Sequence, residues 1–168
     1  MLYQDQKNGY ALEIPDGWSR VSGNFGTLSH HSILFGFIGD KIHFESADQR
    51  SRLTISTGKN IWPGTGFRRA AMYDFLVLHM FLGLKETDIN EVAEFCLDDE
   101  PDTLCFRYES SYGSGWFISS VREGHEYTLR TSVQKGEREA ERVAEVDRII
   151  KSFQFAPSSG TPNRESRG

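Results

Sequence analysis

The sequence predicts an α+β fold, an α/β/α sandwich in which a central antiparallel sheet is flanked by one mid-chain helix and one C-terminal helix. Three observations carry that expectation. Residues 137–153 hold a helical stripe, and residues 67–82 form an apolar run of helical length. Before and between them lie short alternating runs punctuated by turn residues.

The C-terminal helix is the plainest element. Val143, Val146, Ile149, Ile150 and Phe153 share one side of it, glutamates crowd its first turns, and Arg148 and Lys151 stand in its last. That polarity suits the helix dipole. In the mid-chain run only Asp74 and His79 are strongly polar after Arg68 and Arg69, and Gly83 supplies a stop. Its apolar side chains cover nearly the whole circumference, so it must be covered on more than one side. Sheet and loops are the ordinary cover; a homodimer or partner interface through helix 67–82 is the functional alternative.

The strand runs follow in order. Residues 10–14 alternate, Pro15-Asp16-Gly17 makes a turn, and 18–21 resume. Further runs occupy 25–29, 32–38, 41–45 and 52–57, before a loop at 58–66 rich in glycine. After the mid-chain helix, runs at 88–97, 103–112, 116–122 and 126–133 are joined by connections of hairpin length, at 98–102, 113–115 and 123–125. They predict an antiparallel meander. One domain is expected over 1–156, with a disordered polar tail over 157–168.

Composition narrows the function classes. The 168 residues are 38% hydrophobic and 26% charged, as in a globular domain. A net charge of −5 argues against nucleic acid, which needs a basic face. Eight acids and no base lie between Glu86 and Asp102, so the remainder carries a small basic surplus. The start of the chain shows neither a secretory signal nor a lipoprotein cysteine, and the longest apolar stretch, 15 residues at 70–84, contains Asp74 and His79. A cytoplasmic protein without membrane insertion is the expectation.

The segment Gly9-Tyr10-Ala11-Leu12-Glu13-Ile14-Pro15-Asp16-Gly17-Trp18, the mid-chain helix, the late hairpins and the closing Ile149-Ile150-Lys151-Ser152-Phe153-Gln154-Phe155 together resemble the PsbP-like/DcrB-like group. Each motif is loose, and their order and spacing over residues 9–156 carry the likeness. The resemblance implies the α/β/α sandwich, shared with a Ran-binding nuclear-import factor. It further implies binding as a theme, because the fold serves extrinsic photosystem subunits, bacterial lipoproteins and chaperones of secreted toxins.

No residue pattern points to catalysis, a metal or a cofactor. His30 and His31 are adjacent and face opposite ways in a strand, whereas His43 and Glu45 share a face. No Cys/His spacing matches a zinc site, and no Gly-x-Ser-x-Gly elbow surrounds any serine. Gly64-Thr65-Gly66 precedes a helix without the lysine of a phosphate loop, though Arg68 and Arg69 at that helix start suit an anion. Cys96 and Cys105 flank the acidic connection symmetrically; a regular hairpin pairing residues that sum to 201 would oppose them. Reduced thiols are the expectation in a cytoplasmic chain.

Three features remain for binding a partner. Trp62 beside Arg68 and Arg69 has hot-spot composition. Glu94, Asp98, Asp99, Glu100 and Asp102 form an acidic surface for a basic partner, or a solvated hairpin edge. The apolar helix is the third. Together they predict a non-catalytic protein- or peptide-binding adaptor, of which a secretion-associated chaperone is one form. The alternatives are an immunity or inhibitor protein using the acidic hairpin, and a small-ligand protein or enzyme with a pocket under loop 58–66.

Overall fold

A computed structural model describes residues 1–21, 37–60, 89–91, 103–122 and 124–156. Among them are ten strands and one helix: β1 (Leu2–Asp5), β2 (Tyr10–Glu13), β3 (Trp18–Arg20), β4 (Phe37–Ser46), β5 (Ser51–Asn60), β6 (Ile89–Glu91), β7 (Thr103–Glu109), β8 (Gly113–Arg122), β9 (His125–Gln134), α1 (Glu139–Lys151) and β10 (Gln154–Phe155). This is a mostly antiparallel, α+β arrangement. The mid-chain helix expected over 67–82 lies outside the described residues. No described helix is long and apolar enough to cross a membrane.

The strands form two sheets where one was expected. β3-β4-β5-β9-β8-β7-β6 make a seven-stranded sheet, and β1-β2-β10 a three-stranded one. The Pro15-Asp16-Gly17 turn separates them: Gly17 has φ 84, and β2 and β3 on its two sides enter different sheets. β1 and β10 were not anticipated. Both are short, and β10 pairs with β2 as the chain leaves α1, Gln154 opposite Ala11 and Phe155 opposite Tyr10.

Other boundaries move for local reasons. The runs 32–38 and 41–45 were split at Gly39-Asp40, yet β4 is continuous there because Gly39 faces Gly58 in an unbroken ladder with β5. That ladder also takes residues 58–60 out of the expected loop and into β5. Residues 113–115 begin β8 rather than connect it, and Ser110, Ser111 and Tyr112 make the turn. There the Ser110 hydroxyl donates to the Gly113 carbonyl at 2.9 Å and accepts the Tyr112 and Gly113 amides at 3.2 Å each. The glycines serve close approach: a Cβ on Gly115 would lie 2.5 Å from the Tyr108 hydroxyl. At β6, Ile89 faces Tyr108 and Glu91 faces Phe106, a register summing to 197. The ladder opposing Cys96 to Cys105 needed 201. Cys105 is buried, and Cys96 lies outside the described residues.

The core fills the space between the long sheet, α1 and the small sheet. Ile42, Phe44, Leu53, Ile55, Leu129, Trp116 and Ile118 point from the sheet towards Val146, Ile149 and Ile150 of α1. Tyr10 stacks on Phe153 at 5.4 Å, and Phe155 meets Tyr127 edge-on at 4.9 Å, joining the two sheets. Trp18 and Trp116 are buried, and each points its indole nitrogen at a carboxylate of α1. Trp18 Nε1 donates to Glu145 Oε2 at 2.9 Å and Trp116 Nε1 to Asp147 Oδ1 at 2.6 Å. α1 is shorter than 137–153 because Arg138, at φ 62, starts it late, and Ser152 caps it with bonds back to the Arg148 and Ile149 carbonyls.

The β4–β5 turn is tied to α1 through Asp48. Hydrogen bonds from the Ser46 hydroxyl, the Arg50 amide and the Arg142 guanidinium, at 2.7, 3.1 and 2.9 Å, hold its carboxyl down to about 2. A depressed carboxyl stabilises the fold fully above its unfolded value of about 3.9, and the contribution disappears as pH falls through about 2. The urea midpoints of the native chain and Asp48→Asn should therefore differ at neutral pH and converge between about pH 4 and 2. A gap that is constant across that window contradicts the ion-paired turn.

Candidate functional site on the outer face of the long sheet

Strand alternation sorts β4, β5 and β9 into two faces. Ile42, Phe44, Leu53, Ile55 and Leu129 face the core, which places Lys41, His43, Glu45, Arg52, Thr54, Thr128 and Arg130 on the other side. The register then aligns His43, Thr54 and Arg130 in one row across three strands, with Glu45 and Arg52 in the next. Between the rows a cleft of about 240 Å³ opens, lined by Val21, His43, Phe44, Glu45, Arg52 and Thr54. Val21 walls it because its amide bonds the His43 carbonyl at 2.9 Å, extending the β3 edge.

Two side-chain contacts organise the cleft. His43 Nδ1 lies 2.9 Å from Thr54 Oγ1, and Arg52 Nε donates to Glu45 Oε1 at 2.7 Å. Burial, followed by the charges of Lys41, Arg130 and Arg52, holds the His43 imidazole below its ordinary value. Arg130 differs from Arg52: its Nε is buried and has no hydrogen-bond partner among the described residues. Among the described residues the face carries Lys41, Arg52 and Arg130 together with Glu45 and the buried Glu126.

A depressed histidine contributes stability above its unfolded pKa of about 6.5 that is lost as pH falls through the folded value. In an NMR titration His43 should remain neutral to lower pH than exposed histidine, and Arg130→Gln should move its midpoint upwards. An unmoved midpoint contradicts the proximity of the two charges.

Chemically the arrangement suits recognition. Glu45 is committed to Arg52, and the His43 ring to Thr54. Among the described residues no group of three or more His, Cys, Asp or Glu is placed to hold a metal ion.

Of the residues singled out from sequence, Trp62, Arg68, Arg69, Glu94, Asp98, Asp99, Glu100, Asp102 and Cys96 lie outside the described residues, as do His30 and His31. His43 and Glu45 do share a face and both line the cleft. Sequence reasoning missed Lys41, Arg52, Thr54 and Arg130. Their signal was present as polar residues alternating with Ile42, Leu53, Ile55 and Leu129, but their convergence depends on cross-strand register.

No family model matches the chain, and no curated protein sequence matches it. Solved structures do. The solution structure of cyanobacterial PsbP (CyanoP) from Synechocystis sp. PCC 6803 aligns with a TM-score of 0.59 at 14% identity, over 92% of this chain and 91% of that one. The fold is that of the PsbP-like group. The Ran-binding protein Mog1p of Saccharomyces cerevisiae shares it, with a TM-score of 0.52 at 6% identity over 95% of this chain and 96% of its own. At these identities the likeness is one of fold. The PsbP-like fold thus brings the cleft face together from β4, β5 and β9, well separated in sequence.

Proposed function

We propose that this PsbP-like chain is a non-catalytic module that binds a protein or peptide at the cleft on β4 and β5 lined by Val21, His43, Glu45, Arg52 and Thr54. The size of the cleft carries the reading. At about 240 Å³ it falls below the ~300–1,000 Å³ of small-molecule sites, yet it accepts one or two side chains of a partner laid over the sheet. Mog1p, described as Ran-binding, supports protein recognition on this fold. The small-ligand or enzyme reading draws on the His43–Thr54 contact, and the cleft's size weighs against it.

The finer elements of the reading are proposals of the same kind. Residues 1–156 act as one domain with 157–168 as a polar tail, and helix 67–82 supplies the second helical layer of an α/β/α sandwich and a surface for self-association. A cytoplasmic setting and a chaperone-like or adaptor role fit a binding face without catalytic groups. The acidic segment 86–102, with eight acids and no base, favours a second contact, to a basic partner.

A random peptide library displayed on phage and panned against the intact chain tests the function. Enriched peptides should lose binding to Thr54→Trp, which fills the cleft, at an unchanged melting temperature. Failure to enrich any peptide, or peptides indifferent to Thr54→Trp, contradicts the proposal.

A further inference from the structure

The turn between β1 and β2 holds the one Asn-Gly pair in the sequence, Asn8-Gly9. Asparagine is thermolabile, and most so before glycine, where no side chain shields the following nitrogen from the asparagine amide carbon. Gly9 has φ 67, and Asp5 faces Tyr10 where the strands close the turn. Both groups that would react are held in hydrogen bonds. The Gly9 amide donates to the Asp5 carbonyl at 2.8 Å. Asn8 Nδ2 donates to Asp5 Oδ2 at 2.9 Å and to Asp40 Oδ2 at 3.3 Å, and the Asn8 backbone amide to Asp5 Oδ1 at 3.0 Å. Lys7 Nζ, 2.6 Å from Asp40 Oδ2, holds that carboxyl below its ordinary range, so it has no proton to give a departing nitrogen. The same turn joins the two sheets. The Tyr127 hydroxyl of β9 donates to the Asn8 carbonyl, and the Ala156 amide to the Gly9 carbonyl, at 2.8 Å each.

We propose that Asn8 is a self-modification site, which cyclises with Gly9 and hydrolyses to aspartate or isoaspartate whenever the β1–β2 turn opens. The Gly9 nitrogen gives its proton to hydroxide and bonds to Asn8 Cγ. The Cγ–Nδ2 bond then breaks, and ammonia leaves with a proton from water. A water molecule adds to either carbonyl of the resulting five-membered imide, restoring one amide and one carboxylate. The closed turn holds the reaction in check, because the Gly9 N–H and Asn8 Nδ2 are both engaged. Opening it is a local event, since β1 is a four-residue strand at the end of the small sheet. The product undoes the joint. Aspartate sets a third carboxylate against Asp5 and Asp40, and isoaspartate adds a backbone carbon that moves the Asn8 carbonyl away from Tyr127.

The intact chain, incubated at mildly alkaline pH with and without denaturing guanidinium chloride, tests the assignment. Peptide mapping by mass spectrometry follows Asn8, with isoaspartate counted by enzymatic methylation. Conversion should be about tenfold or more slower in the native chain than in the unfolded one. Asp5→Ala and Asp40→Ala should each accelerate the native reaction; Asp40, on β4, keeps the test independent of the fold of β1. Gly115→Ala, which weakens the remote β7–β8 ladder, should not accelerate it. Asn8→Asp, the product fixed in the sequence, should melt below the native chain. Equal rates in the native and unfolded chains, no conversion at Asn8 in the unfolded chain, or no acceleration by Asp40→Ala overturn the assignment. An equal acceleration by Gly115→Ala overturns it as well, by routing the reaction through global unfolding. So does an Asn8→Asp chain that melts with the native one, because the joint would then survive the product.

Discussion

Trp116→Ala is expected to lower the unfolding free energy by about 3–5 kcal/mol, the cost of emptying a buried tryptophan site. Trp116 is 3% exposed and lies between the long sheet and α1. Truncation removes three things together: the apolar contact with α1, the bond from Nε1 to Asp147 Oδ1 at 2.6 Å, and the ring under the Arg107 guanidinium at 5.4 Å. Trp116→Phe separates them. It retains most of the packing and leaves Asp147 without its donor, for an expected loss of about 1–3 kcal/mol. Chemical unfolding of the three chains checks the order. A Trp116→Ala loss under about 1 kcal/mol would mean that α1 does not rest on this side chain.

Gly115→Ala should cost about 3 kcal/mol although it adds a single methyl group. Gly115 faces Tyr108 across the β7–β8 ladder, and the Tyr108 ring lies over it to donate to the Thr131 carbonyl at 2.7 Å. A Cβ there would press on the Thr131 carbonyl oxygen and stand 2.7 Å from the ring carbon bearing the hydroxyl. Backbone on one side and a buried ring on the other leave nothing cheap to displace. The melting temperature should fall by roughly 6–12 °C. The phenol reports the same event: burial pushes Tyr108 up to about 12, and in Gly115→Ala its ultraviolet titration should move back towards the exposed range. An alanine variant that melts with the native chain contradicts the close approach.

These two positions show what the sequence disclosed and what it withheld. The α1 stripe and the alternation of residues 10–14 were legible because each is a one-dimensional pattern with the period of its element. Gly113 and Gly115 read as a connection because glycine marks turns more often than close approaches; only β9 and Tyr108, brought in by pairing, explain them. β1 and β10 were illegible for a similar reason. Four residues and two residues carry no period, and their strand character comes from pairing with β2. The site divides in the same way. His43 and Glu45 share a face by simple alternation, and that was visible. Arg130 is 87 positions beyond His43 in the chain, and it enters the site through two ladders whose registers no local pattern specifies.

The central claim is that a bound segment seats in the cleft lined by Val21, His43, Glu45, Arg52 and Thr54. Amide hydrogen exchange of the intact chain, with and without a peptide enriched in panning, tests it most directly. The predicted result is added protection concentrated at residues 21, 43–45 and 52–54, lost in Thr54→Trp. Protection confined to other segments, with those three unchanged, would contradict the account.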